Sequence, residues 1–152
     1  MPKLSIQEVT IDSFDACINL KLAEDQVHRI DPNVYSIAES KVDPTLTPYA
    51  IHLEETVIGF AMTEFDQDEI PERRYWIPRF MIDVTYQRKG YGKEAMQKVI
   101  ERLKQEDDCQ FIGLSTEPDN EPALQFYQSL GFVNTGEWLE EREVILILKV
   151  SA

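Results

Sequence analysis

Cysteine is scarce in this sequence, and neither cysteine lies in a pattern that binds metal. The 152 residues contain 2 cysteines, and Cys17 and Cys109 are far apart in the chain. His28 and His52 match no zinc-ligand or catalytic-triad spacing. Isolated thiols are typical of reducing compartments. The sequence therefore predicts reduced cysteines, a cytoplasmic location and no bound metal.

Long apolar runs are also missing. The longest uninterrupted one is Val144–Leu148, whereas a membrane-spanning helix needs about 20 apolar residues. The amino-terminal residues show no basic stretch followed by an apolar one, which a secretory signal requires. The sequence accordingly predicts neither a membrane span nor an export signal.

Positive charge is the third deficit. Lys and Arg number 15 against 28 Asp and Glu, which gives a formal net charge of −13. Nucleic acids and anionic membranes repel such a surface, so neither is expected as a partner. A small cationic partner is favoured, although acidic surfaces also serve simply to keep proteins soluble. The oligomeric state stays open, with a homodimer as one arrangement.

The composition that remains is that of a folded globular chain. Hydrophobic residues make up 43% and charged residues 28% of the sequence. No repeat, low-complexity block or linker interrupts it. A chain of this length can bury a core without disulfides, so a single domain over residues 1–152 is expected.

Apolar periodicity predicts a mixed α/β domain. A predicted strand at 4–9 precedes a predicted helix from Ser13 to about Ile30, which Asp12 or Ser13 would cap. The proline-rich stretch 31–48 is expected to be a loop with at most one short helix. Further predicted strands lie within 49–65 (two, turning near 54–55), 73–84, 109–115, 132–139 and 142–150, and further helices at 92–105 and 120–131. This order favours a mostly antiparallel sheet of about six to seven strands flanked by about four helices.

The stretch QRKGYG (87–92) joins a predicted strand to a predicted helix. Successive backbone N–H groups from Arg88 to Lys93 would point towards an anion at the helix N-terminus. The side chains of Arg88, Lys89 and Lys93 add positive charge. The stretch is therefore interpreted as a phosphate-binding loop.

Three kinds of phosphate site are compatible in outline with a loop of this composition. Gly90–Ala95 fits the dinucleotide pattern G-x-G-x-x-A, but TYQRK separates it from the strand and too few residues follow for repeated parallel units. A nucleoside-triphosphate loop fails because Glu94 stands where a hydroxyl must bind magnesium. A metal-free site for a pyrophosphate, such as that of coenzyme A, remains.

Two motifs together resemble those of a known family. They are QRKGYG and the pattern N-x-x-A-x-x-x-Y-x-x-x-G-F, formed by Asn120, Ala123, Tyr127, Gly131 and Phe132. Both are similar to motifs of the GNAT superfamily of acyl-CoA-dependent N-acetyltransferases, over about residues 49–149. The resemblance implies the fold of that family, acetyl-CoA as co-substrate and transfer of an acetyl group to a primary amine.

The resemblance also implies roles for matching positions. The strand before the loop would pair with the pantetheine arm, and the loop would hold the pyrophosphate. Asn120 would bond pantetheine, and Tyr127 would protonate the leaving thiolate. The residues implied to bind the cofactor are Phe80, Met81, Ile82, Gln87, Arg88, Lys89, Gly90, Tyr91, Gly92, Lys93, Asn120 and Tyr127.

Helical geometry supports two of these placements independently. Asn120 and Tyr127 fall about 20° from the same line along a helix and so share a face. A phenol with a pKa near 10 is close enough to a thiol to protonate a developing thiolate. The alternatives are a core aromatic beside Phe126 for Tyr127 and a plain helix cap for Asn120.

The sequence says less about the residues that bind the amine than about those that bind the cofactor. An attacking amine must lose a proton, and Asp83, Glu64 and Glu137 are unranked candidates to accept it. Within the superfamily, RFMIDVTYQRKGYG resembles bacterial spermidine/spermine acetyltransferases, which implies a polyamine substrate. That group commonly has an acidic residue just before RF, where this chain has Pro78. The residues expected to hold the amine instead are Glu24, Asp25, Glu39 and Glu137, with Glu140 as a further candidate.

Two other functions remain compatible with the sequence. One is acetylation of another amine, such as a protein N-terminus, an amino acid or an aminoglycoside. The other is a non-catalytic acyl-CoA-binding sensor, which would have no need for the acid Tyr127.

Overall fold

The computed structural model describes residues 2–150. Seven strands form one sheet in the order β1-β2-β3-β4-β5-β7-β6. The strands are β1 (Leu4–Glu8), β2 (Leu46–Leu53), β3 (Thr56–Phe65), β4 (Tyr75–Ile82), β5 (Phe111–Thr116), β6 (Val133–Leu139) and β7 (Glu143–Lys149). The helices are α1 (Ile11–Ile18), α2 (Asn33–Val42), α3 (Tyr91–Lys104) and α4 (Glu121–Ser129). Short 3-10 turns occupy Pro71–Arg73 and Val84–Tyr86. The predicted fold class is confirmed.

The predicted helix from Ser13 to Ile30 is wrong in length and start. Thr10, not Asp12 or Ser13, caps α1, and its hydroxyl accepts from the Asp12 N–H. Asn19 ends the helix, and its side-chain amide donates to the Asp15 carbonyl at 2.7 Å. Residues 19–32 then form a turn-rich segment, which we call the crossing segment. The stretch 31–48, expected to be mainly loop, holds the 10 residues of α2.

Helices cover the sheet through two separate apolar clusters. The stripe predicted on α3 is confirmed, since Ala95, Val99 and Leu103 are buried in the larger cluster. The second cluster joins Cys17 of α1 and Ile37 of α2 to the sheet. No helix within residues 2–150 has both the length and the apolar character needed to cross a membrane.

The sheet opens between β4 and β5, its one parallel pair of neighbours. These strands are paired only at Trp76 and Gly113. A β-carbon at Gly113 would lie 2.4 Å from Cζ3 of Trp76, so the indole fills the space beside this glycine. Beyond that pair the two strands diverge, and residues 77–82 of β4 have no strand partner on the β5 side.

A β-bulge lies at the start of this divergence. The register between β3 and β4 shifts around Thr63, which faces both Ile77 and Pro78. A bulge leaves one residue outside the ladder, and proline has no N–H to contribute there. Pro78 is therefore compatible with an interior strand, and it lies on the wall of the opening between β4 and β5.

Candidate functional site

The opening between β4 and β5 is the mouth of a cleft of about 1020 Å³. Its walls come from β4, the start of α3, α4, the crossing segment and the turn between β6 and β7. The crossing segment spans the opening because its ends are attached on opposite sides. The Lys21 N–H donates to the Asp83 carboxylate at 2.8 Å, while Arg29 donates to Glu117 at 3.1 Å, just beyond β5.

The free edge of β4 forms one wall. Phe80, Met81 and Ile82, the positions expected to contact pantetheine, all line the cleft. The Phe80 ring stacks on Phe126 of α4, with 6.1 Å between centroids. A strand edge without a neighbour can pair with an extended ligand through its backbone. The wall therefore suits a long, narrow molecule with amide groups.

The loop 87–90 brings free backbone donors to the end of that wall. Arg88 and Gly90 have left-handed φ values of 64° and 86°. The Gln87 side chain donates to the Ile82 carbonyl at 2.9 Å and so fixes the loop to the end of β4. Within residues 2–150, the N–H groups of 88–93 have no acceptor. Such a cluster at a helix N-terminus binds anions.

The loop side chains divide into two groups. The cleft is lined by Gln87, Arg88, Gly90, Gly92 and Lys93. Lys89 and Tyr91, also expected to bind the cofactor, do not line it. The Lys89 ammonium instead lies 5.9 Å from the centre of the Tyr86 ring, and the Tyr91 ring packs against Tyr86 at 6.4 Å. Only the backbone of these two residues is placed to contribute.

Asn120 caps α4, as predicted, and is only 6% exposed. Its Oδ1 accepts from the Ala123 N–H at 3.4 Å. Its Nδ2 makes only long contacts of 3.5 Å with the Gln26 and Thr116 side chains. Since this residue also lines the cleft, Nδ2 can donate to a ligand that brings a better acceptor.

Tyr127 lies on the same wall of the cleft as Asn120. Its ring packs edge-on against Phe126 and Phe132, with centroids 5.3 and 5.9 Å away. The backbone N–H of Phe132 donates to the Tyr127 carbonyl at 3.1 Å, and Gly131 adopts a φ of 102°, so α4 ends here as predicted. The hydroxyl has no hydrogen-bond partner within residues 2–150. Burial raises the pKa of Tyr127 to about 12.

The three candidate bases have different surroundings. Glu64 lines the cleft, and burial, followed by the charge of Asp43, raises its pKa. Asp83 does not line the cleft; burial works to raise its pKa, but hydrogen bonds from the Lys21 and Thr85 N–H groups outweigh it and lower the pKa. Glu137 is exposed and pairs with Arg73 at 3.5 Å, outside the cleft. Glu64 is thus the best placed of the three.

None of the four expected substrate carboxylates, Glu24, Asp25, Glu39 and Glu137, lines the cleft. Glu140, the further candidate from the sequence, does line it. Other charged residues that sequence reasoning missed also line it, and they are Arg29, Asp31, Arg79, Glu117, Arg142 and Glu143. Most belong to turns, where no periodicity signals their position. The assignment of residues 19–30 to a helix also hid the contacts that the crossing segment makes.

The cleft as a whole fits coenzyme A and offers no metal site. Its strand edge, anion-binding loop and buried amide match an extended amide-bearing arm that ends in a pyrophosphate. Within residues 2–150 no group of three His, Cys, Asp or Glu side chains is placed to hold a metal ion. The residues present therefore suit a cofactor that binds without metal.

Comparisons with known proteins agree with this geometry. The sequence model described as the acetyltransferase (GNAT) family matches residues 14–132. The spermine/spermidine N(1)-acetyltransferase of Bacillus subtilis (strain 168) is 32% identical over 138 residues, which cover 88% of this chain and 90% of that protein.

Solved structures show the same fold at lower identity. The ribosomal-protein-S18-alanine N-acetyltransferase of Escherichia coli superposes with a TM-score of 0.73 at 20% identity, over 99% of this chain and 96% of that one. An aminoglycoside acetyltransferase in complex with coenzyme A gives 0.77 at 15% identity, over 97% and 95%. With the family match over most of its length and this cleft between β4 and β5, the chain belongs to the acetyltransferase (GNAT) family.

Proposed function

We propose that this enzyme transfers an acetyl group from acetyl-CoA to a primary amine of a small polyamine such as spermidine or spermine. The observation that carries the choice of substrate is the 32% identity to the Bacillus subtilis enzyme over 88% of the chain. The net charge of −13 supports it, because an acidic protein attracts polycations. Both cysteines are free and buried, which supports action in the reducing cytoplasm. The acidic charge also favours a free cationic molecule over nucleic acid or an anionic membrane.

Each wall of the cleft has a part in holding the cofactor. The free edge of β4 at Phe80–Ile82 binds the pantetheine arm, and the N–H groups of 88–93 hold the pyrophosphate together with Arg88 and Lys93. Asn120 bonds the arm from α4. When bound, acetyl-CoA supplies an acetyl group activated as a thioester.

Tyr127 holds the proton that the departing sulfur needs. Tyr127 lines the cleft, its Oη has no hydrogen-bond partner among residues 2–150, and burial raises its pKa to about 12. A cleft closed to water also disfavours a thiolate, so the same burial that raises the pKa of the phenol raises that of the leaving thiol. The two groups therefore stay close in pKa, and transfer from oxygen to sulfur remains accessible.

Glu64 accepts the proton that the amine must lose, directly or through water. Burial and the nearby Asp43 charge raise its pKa, which makes its carboxylate a stronger base than an exposed glutamate. The same negative charge attracts the ammonium form of the substrate. Opposite ends of one cleft thus hold the base and the phosphate-binding loop.

The alternatives differ in the acceptor. Enzymes that share this fold include ones named for a protein alanine and for aminoglycosides. A non-catalytic sensor would need no acid, and the unpaired Tyr127 hydroxyl at the cleft favours the enzyme.

Thiol release from acetyl-CoA tests the proposal directly. The panel contains spermidine, spermine, a monoamine, an aminoglycoside, a peptide N-terminus and a blank without amine. We expect the highest kcat/KM with a polyamine and release near background in the blank. Preference for the peptide or the aminoglycoside would replace the polyamine, and no release with any amine would favour the sensor.

A further inference from the structure

Arg79 of β4 places a cation inside the cleft. It lines the cleft, and its side chain is 20% exposed. Its Nη2 lies 2.6 Å from the Asp31 carboxylate and 3.6 Å from that of Glu39. We propose that Arg79 determines substrate specificity, by occupying carboxylates that would otherwise bind a further ammonium group of the substrate. This inference rests on the proposed polyamine acetyltransferase activity.

The guanidinium is held in this position on every side. Nε donates to the buried Ser36 hydroxyl at 3.1 Å, and Nη1 donates to the Pro78 carbonyl at 2.9 Å. Arginine makes such multiple contacts through its planar fork, which a flexible ammonium cannot reproduce. Arg79 is therefore a fixed internal counter-ion rather than a mobile surface charge.

Of the two carboxylates that Arg79 contacts, Asp31 is within reach of a ligand in the cleft, and Glu39 is partly exposed beside it. Asp31 lines the cleft, and 53% of its side chain is exposed. The side chain of Glu39 is 36% exposed, and its charge acts on Glu64, whose pKa is raised mainly by burial and by Asp43. A cation between Asp31 and Glu39 thus lies close to the proposed base. Without Arg79, a second or third ammonium of a bound polyamine could take that place.

Arg79→Met tests this by removing the charge while retaining an aliphatic chain. We expect kcat/KM for spermine, relative to that for a monoamine, to rise roughly fivefold, the size of one partly exposed ion pair. Arg79→Lys should give a ratio between those of wild type and Arg79→Met, because it keeps a cation but loses the contacts of Nε and Nη1. Arg73→Met is the matched control, since it removes the same charge from an ion pair outside the cleft.

Double variants separate a local site from a change in net charge. In Arg79→Met/Asp31→Asn the gain should disappear, because the freed carboxylate is gone. Arg79→Met/Asp107→Asn has the same net charge, removes only an exposed carboxylate beyond α3, and should keep the gain. Equal behaviour of the two double variants would contradict the proposal.

Other outcomes are equally decisive. Three results would overturn the proposed role of Arg79 without affecting the proposed function. They are an unchanged ratio of kcat/KM for spermine to that for a monoamine in an active Arg79→Met enzyme, a parallel loss of kcat/KM with all amines, and the same gain in Arg73→Met. If Arg79→Met does not fold, the variant Asp31→Asn tests the role of Arg79 instead. It leaves the charge of Arg79 less compensated, so kcat/KM should fall more for spermine than for a monoamine. An equal fall for both amines would refute the proposed role. Failure of the wild-type enzyme to acetylate any polyamine would instead overturn the proposed function.

Discussion

Tyr127 and Glu64 carry the two proposed proton transfers, and each has surroundings that suit its part. The tyrosine reaches the cleft from α4 with a free hydroxyl and a pKa raised by burial. The glutamate lies on β3 where burial and Asp43 raise its pKa. One group retains its proton over the working pH range, and the other binds a proton more strongly than usual.

Removing only the Tyr127 hydroxyl separates its chemistry from its packing. Tyr127→Phe should lower kcat by roughly 10²-fold, within the range of a positioned acid. The affinity for coenzyme A should change little, because the ring still packs on Phe126 and Phe132. Tyr35→Phe, at an exposed position, is the control. Wild-type turnover in Tyr127→Phe would make Tyr127 a core aromatic.

Glu64→Gln should separate activity from stability. A raised pKa in the folded state means that folding stability is lost as the pH rises from the usual value of 4.5 to the raised one. The glutamine variant lacks this loss, so its Tm should equal that of wild type at low pH and exceed it above that window. Its kcat should fall by roughly 10²-fold, while Glu55→Gln at an exposed turn changes neither. Full activity with an unchanged pH dependence of Tm would exclude Glu64 as the base.

At the residue scale, sequence reasoning succeeded where a motif fixes the position. Both ends of α4 were predictable, because asparagine is a common N-terminal cap and glycine readily adopts the left-handed conformation that follows a helix, as Asn120 and Gly131 do. The choice of Glu64 over Asp83 was not, since it depends on burial and on hydrogen bonds from Lys21, which is distant in the sequence. Long-range contacts of this kind have no local signature.

At the scale of elements, the loop between β4 and α3 depends on the left-handed conformation of Gly90. Gly90→Val should abolish the rise in Tm that acetyl-CoA produces, because a β-branched residue disfavours the φ of 86° and moves the N–H groups. Gly136→Val is a matched control, since Gly136 has a φ of 78°, open space around it and lies outside the cleft. It should lose similar stability but keep the shift.

Two results would contradict this view of the loop. One is an undiminished acetyl-CoA shift in Gly90→Val. The other is a larger shift of the wild-type Tm with NADH or ATP than with acetyl-CoA. The first would show that the conformation of Gly90 is not needed to bind acetyl-CoA, and the second would return the loop to the nucleotide-binding alternatives.

Elements with strong periodicity were predictable and the crossing segment was not. The stripe of α3 gave that helix to within a residue at each end. Residues 19–30 carry enough apolar side chains to suggest a helix, but Lys21, Arg29 and Asp31 are bonded to Asp83, Glu117 and Arg79. These tertiary contacts override the local preference, and they build one wall of the cleft.

At the scale of the whole molecule, the net negative charge of the chain contrasts with the mixed charges that line the cleft. The chain carries −13, yet the cleft contains arginines as well as carboxylates. Under the proposed function, the whole surface would supply the long-range attraction of a polycation, whereas the proposed roles of Glu64 and Arg79 would govern selection among amines. Attraction of the first kind is screened by salt over about 10 Å at 0.1 M and about 3 Å at 1 M.

The salt dependence of amine selectivity tests the central claim most directly. kcat/KM is measured for spermidine and for a monoamine with acetyl-CoA, at low and at high ionic strength. We predict a clear preference for spermidine that shrinks as salt rises, because three ammonium groups respond to the acidic protein more strongly than one. Equal efficiencies at both ionic strengths would contradict the polyamine assignment and leave the acidic surface as a feature of solubility alone.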